Sequence, residues 1–126
     1  MKYLCLGYLD EKTIDTMSER ERETFLKECS AYDNVLRTNG HFVRLEGLER
    51  AQNAKTVRSR SGKVMVTDGP YAETKEQIGG LLLLEPKDLN HAAQLMSKHP
   101  GIRVGVFEIR AIDEPSCAQA GEGGNQ

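Results

Sequence analysis

At 126 residues, 38% hydrophobic and 29% charged, the chain is long enough for one domain with a real core and too polar for a membrane protein. Its longest apolar run, Leu81 to Leu84, is far below the length of a membrane span. The net charge of −2, with no basic block, lacks the electrostatic footprint of a nucleic-acid binder.

The chain opens on a predicted strand, Lys2 to Leu9, in which Tyr, Leu and Cys alternate with smaller residues until Asp10. This start is apolar, but it lacks the cleavage site and hydrophobic stretch of a signal peptide. Ser18 followed by Glu21 has capping-box spacing and starts a helix that runs to Asn39-Gly40. Phe25, Cys29, Tyr32 and Leu36 recur along one face of it. His41 to Leu48 is a second strand. Lys55 to Arg60 and Lys63 to Thr67 flank Ser61-Gly62, a two-residue hairpin turn, with Val57 expected inward. Arg58, Arg60 and Lys63 fit the exposed face of that hairpin. Asp68-Gly69-Pro70 is turn chemistry, and Thr74 with Gln77 predicts a short helical turn. Gly80 to Glu85 reads as a central strand, apolar on both faces and stopped by Pro86. Asp88 to Lys98 is a helix with Leu89, Ala92, Ala93 and Met96 inward, broken by Pro100-Gly101. Val104 to Ile112 is the last strand.

This order predicts an α+β fold: a ferredoxin-like split βαβ arrangement with an inserted β-hairpin. Two helices cover one sheet face. The other, expected to show Leu4, Leu6, Leu82, Leu84 and Val106 or their alternates, needs a partner, and a symmetric homodimer supplies one. The domain is expected over residues 1–113, with residues 114–126 a disordered tail rich in Ser, Gln, Gly and Asn.

Cys5, Cys29 and Cys117 are an odd number without metal-ligand spacing. The reading is a reducing cytoplasm, with Cys5 and Cys29 as small buried hydrophobes. His41 is expected to cap helix carbonyls, His91 to face solvent, and His99 to sit at a helix C-terminus. The three histidines share no metal spacing, so neither a metal nor a cofactor is expected.

The opening Met1-Lys2-Tyr3, the stretch Thr67-Asp68-Gly69-Pro70-Tyr71-Ala72-Glu73-Thr74-Lys75-Glu76-Gln77-Ile78-Gly79-Gly80 and the closing Val106-Phe107-Glu108-Ile109-Arg110 carry a resemblance. Together they resemble the YCII-related family, and within it the branch known by its Asp-Gly-Pro-Phe signature, with Tyr71 in place of Phe. The resemblance implies a ferredoxin-like fold forming dimeric α/β barrels. It also implies enzymes using a histidine–aspartate pair, such as a dehydrochlorinase of aromatic breakdown. There the histidine lies in the first helix, and the aspartate precedes a proline after the second. Here the first helix has no histidine, and His99 precedes Pro100, so the pair is expected to be unmatched. Members of the branch are further implied to sit beside extracytoplasmic-function sigma factors.

Two functions follow. One is a small enzyme with Asp68 as acid–base group and His99 as helper, its ligand held by Gly69, Pro70, Tyr71, Glu73, Thr74 and Lys75. The other is a non-catalytic accessory or regulatory dimer that binds a small ligand or a protein partner.

Overall fold

The computed structural model describes residues 1–113; the expected tail lies outside the described residues. The chain runs β1 (Tyr3–Leu9), α1 (Glu11–Asp15), α2 (Glu19–Thr38), β2 (Phe42–Gly47), β3 (Lys55–Arg60), β4 (Lys63–Asp68), β5 (Gln77–Leu84), α3 (Leu89–Met96) and β6 (Gly105–Ala111). Short 3-10 turns at Ala51–Asn53 and Pro100–Arg103 join them. Four strands form one antiparallel sheet in the order β2-β5-β1-β6, consistent with a ferredoxin-like α+β fold. The hairpin β3-β4 is a separate two-stranded sheet. Its turn residues, Ser61 and Gly62, both take positive φ, which matches the twist of a hairpin.

Helix α2 starts on the expected capping box: Glu21 N–H donates to Ser18 Oγ, and Ser18 N–H donates back to Glu21 Oε1. Helix α3 starts on Asp88, whose carboxylate accepts from the His91 N–H. Cys5, Leu36, Leu82, Leu84 and Met96 form the core, with Tyr32, Phe42, Leu95, Phe107 and Ile109 packed around them. Leu36 and Leu84 have no accessible surface.

The register fixes which side chains share a face. Tyr3 pairs with Leu84 and Cys5 with Leu82. Leu82 and Leu84 therefore point into the core with Cys5, which corrects their expected place on the open face. That face instead presents Leu4, Leu6, Leu81, Leu83 and Val106. The sequence run of four leucines has no period, so its phase is set only by its partners.

Other expectations shift for local reasons. Val57 is 67% exposed rather than inward, because the hairpin stands off the main sheet. Ala92 and Met96 are buried as expected, but Ala93 is exposed and Leu89 is 48% exposed, and Leu95, half-buried, packs against the core in their place. No helical turn forms at Thr74: its hydroxyl donates to the Glu76 carbonyl, and the Gln77 amide donates to the carbonyls of Ala72 and Thr74. Local side-chain bonds of this kind compete with helix formation. Strand β5 begins at Gln77, ahead of the expected Gly80.

Candidate functional site

The inward stripe of α2 carries a carboxylate among its apolar residues. Asp33 follows Cys29 by one turn and precedes Leu36, and it is 7% exposed. Above it, Pro100 opens the 3-10 turn Pro100–Arg103 at a position that suits its fixed φ. His99 is the N-cap of that turn, and its Nδ1 accepts the Gly101 N–H at 2.9 Å. The other ring nitrogen, Nε2, lies 3.0 Å from Asp33 Oδ1, and His99 is itself 8% exposed.

This geometry fixes the tautomer. An N–H donates into Nδ1, so Nδ1 holds a lone pair and the proton sits on Nε2, facing the carboxylate. The ring is held edge-on by Tyr32 at 5.5 Å and Phe107 at 5.2 Å between centroids. Tyr32 is anchored in turn by its hydroxyl, which donates to the Leu95 carbonyl. Gly101 is required here: a Cβ would stand 2.8 Å from the Phe107 ring and 3.1 Å from His99 Nδ1.

The pair faces a cavity of about 270 Å³ between α2, α3 and the sheet. Its walls are Phe25, Leu26, Cys29, Leu45, Leu82, Met96, Val104 and Phe107, and no lysine or arginine lines it. The hollow has a backbone cause. Gly47 pairs with Gly80, and Gly80 with Gly7, so three strands lack a side chain at one level, and Phe107 ends the row. The carboxylate's one hydrogen bond among the described residues is the one from His99, through Oδ1. Oδ2 has no hydrogen-bond partner among the described residues.

The thiols of Cys5 and Cys29 are unsuited to nucleophilic attack. Burial pushes the Cys5 thiol up to about 12. Burial, then the Asp33 charge, raises Cys29 as well. Among the described residues, no three His, Cys, Asp or Glu side chains cluster to hold a metal ion.

Asp68 and His99 are not brought together. Asp68 ends β4 on the exposed hairpin, where its carboxylate accepts from Lys55 Nζ at 2.5 Å. His99 is buried against Asp33. Pro70, Tyr71 and Thr74 line a groove of about 730 Å³ that runs past Tyr8 and Leu48. Pro70, Glu73, Thr74 and Lys75 line another, of about 560 Å³, facing Asp10 and Lys12. The Gly69 carbonyl accepts from the Thr56 hydroxyl and closes the hairpin end. Tyr71 is 81% exposed, with the Arg58 guanidinium 5.8 Å from its ring centre.

His41 reaches the Glu85 carbonyl at 3.3 Å and stacks edge-on with His91. His91 is half-buried, and its Nδ1 accepts the Lys87 N–H. Asp33 escaped the sequence reading although a signal existed: it stands eight residues after Phe25, on the apolar stripe itself. A carboxylate on a buried helix face needs a partner, and the search for one leads to His99.

The family model described as YCII-related domain matches residues 1–115 of the chain. An uncharacterized protein of Rhizobium meliloti (strain 1021) is 31% identical over 116 residues, which cover 89% of this chain and 92% of the relative. No helix among the described residues is long and apolar enough to cross a membrane.

Proposed function

This chain belongs to the YCII-related family, and on that premise we propose that it binds a small molecule in the apolar chamber and uses Asp33 as a general base. The observation that carries the reading is the 3.0 Å contact between His99 Nε2 and Asp33 Oδ1, with Nδ1 already occupied by Gly101. Both ring nitrogens are thus committed. The proton acceptor is the free carboxylate oxygen, and His99 is the positioning residue that holds it. A ligand presents an O–H, N–H or activated C–H to Oδ2, the proton moves to Asp33, and the apolar walls keep water away. Compared with the family pattern that the resemblance implies, the pair has its residue types exchanged between the long helix, here α2, and the position before the proline.

Solvent-deuterium incorporation into a panel of small ketones and phenols, followed by NMR, tests the reading. Exchange that depends on Asp33 and is lost in Asp33→Asn supports it; exchange unchanged in that variant overturns it.

Asp68 is poorly suited to acid–base work, being exposed and paired with Lys55. The loop grooves support a second reading, a ligand-binding protein without turnover, of the kind implied for partners of sigma factors. Its ligand would contact Pro70, Tyr71, Thr74 and Lys75. Saturable binding lost in Tyr71→Ala but kept in Asp33→Asn would favour it. The Asp68-Gly69-Pro70-Tyr71 stretch supports membership of the Asp-Gly-Pro-Phe branch.

The open sheet face supports a barrel-type homodimer. Leu4, Leu6, Leu81, Leu83 and Val106 lie on adjacent strands, and a second copy would bury them at about 25 cal/mol per Å². Sedimentation should give twice the 14.0 kDa chain mass, and Leu6→Asp should give the monomer. A monomeric wild type would mean that the face stays uncovered.

A further inference from the structure

A second cavity, of about 230 Å³, adjoins the Asp33 chamber and shares Leu9, Phe25, Leu26 and Gly79 with it. Its charged residues are Glu11, Arg22 and Arg50. Arg50 is committed, donating through both terminal nitrogens to the Asp15 carboxylate. Glu11 is held by the Ala51 N–H at 3.0 Å. Arg22 differs. Its Nη2 reaches only the Ile14 carbonyl, at 3.4 Å, and its buried Nε has no acceptor among the described residues. A buried Nε–H without an acceptor is costly, and a planar carboxylate offers two oxygens that match the guanidinium fork.

Arg22 and Asp33 lie eleven residues apart on α2. Eleven residues are about three turns, so the two share a face, with roughly 16 Å between them along the axis. Phe25, Leu26 and Cys29 line the path. We infer that Arg22 is the carboxylate-binding residue of the same site, and that the ligand is an elongated monocarboxylic acid whose far end gives a hydrogen bond to Asp33. The inference rests on the reading of Asp33 as the free acceptor. The spacing exceeds the length of a simple ring acid such as benzoate. Glu11 and Asp15 at the Arg22 end disfavour a dianion, so one carboxylate fits better than a phosphate.

Calorimetric titration of the full chain with para-hydroxyphenyl alkanoates, from the acetate to the octanoate, and with their methyl esters tests the inference. Affinity should rise to an optimum chain length, where the acid binds about tenfold or more tighter than its ester. In Arg22→Gln that ratio should fall towards one while the ester still binds. Arg22→Lys, which keeps a charge without the fork, should retain part of it. In Asp33→Asn the ratio should persist while the preference for hydroxyl over methoxy disappears. Failure of any acid to bind, equal binding of acid and ester, or a ratio that survives in Arg22→Gln and Arg22→Lys overturns the inference. If the ratio follows Arg22 but the hydroxyl preference survives in Asp33→Asn, the carboxylate site stands and the reading of Asp33 falls.

Discussion

His99 Nε2 donates to Asp33 Oδ1 across 3.0 Å, and this one bond ties the C-terminal half of the long helix to the turn that leads into the last strand. Removing either partner should have unequal effects. His99→Ala leaves a buried carboxylate without a donor and should destabilise the fold by about 3–5 kcal/mol. Asp33→Asn keeps an oxygen for Nε2–H and should cost about 1 kcal/mol or less. Urea denaturation of the two variants checks the order; equal losses would mean that the bond is not formed in solution.

The packing prediction concerns Leu36, which has no accessible surface and sits in the core cluster with Leu84 and Met96. Leu36→Ala should lose about 2–4 kcal/mol, from the lost burial and the cavity left behind. A loss below about 0.5 kcal/mol by chemical denaturation would show that the helix face is misassigned.

Alkaline stability should depend on Cys5. Its thiol is pushed up to about 12 by burial, against about 8.5–9 in the unfolded chain. The folded state therefore binds more protons than the unfolded state between those values, and stability should fall as pH rises from about 9 to 12. Cys5→Ala should flatten that slope whatever its offset at neutral pH. A thiol reagent at pH 8 should label Cys5 only after unfolding; rapid native labelling would contradict the burial.

Within the loop, the amide of Gln77 should matter more than the charge of Asp68. Asp68 and Lys55 form an exposed pair, and such pairs contribute at most about 1 kcal/mol. Gln77 instead holds two carbonyls, of Ala72 and Thr74. Gln77→Ala should speed amide exchange and proteolysis across residues 70–76, while Asp68→Asn should leave both unchanged. The reverse order would place the loop's organising interaction at the hairpin end.

The fold was largely legible because its signals are local. The Ser18–Glu21 box, the Ser61-Gly62 turn and the 3.6-residue stripe of α2 each depend on neighbours in sequence. The phase of Leu81 to Leu84 is not legible in sequence, since a continuous apolar run takes its facing from distant strands, from 35 residues away in the pairing of Glu46 with Leu81 to 81 in the pairing of Tyr3 with Leu84. The Asp33–His99 pair is hidden in the sequence for a similar reason. Asp33 and His99 are 66 residues apart, whereas Asp68 stands in a motif of contiguous residues. The exchanged order hid the pair from comparison by residue type.

The glycines at Gly7, Gly47 and Gly80 have an evolutionary consequence. The chamber's size is written in absent methyl groups, so its volume can change in single-carbon steps without disturbing Asp33 or His99. The steps are graded. A Cβ at Gly47 would meet nothing within 4 Å, one at Gly7 would stand 3.4 Å from the Phe107 ring, and one at Gly80 would come within 3.2 Å of the Glu46 carbonyl. A lineage whose chamber narrows should therefore acquire alanine first at Gly47 and last at Gly80.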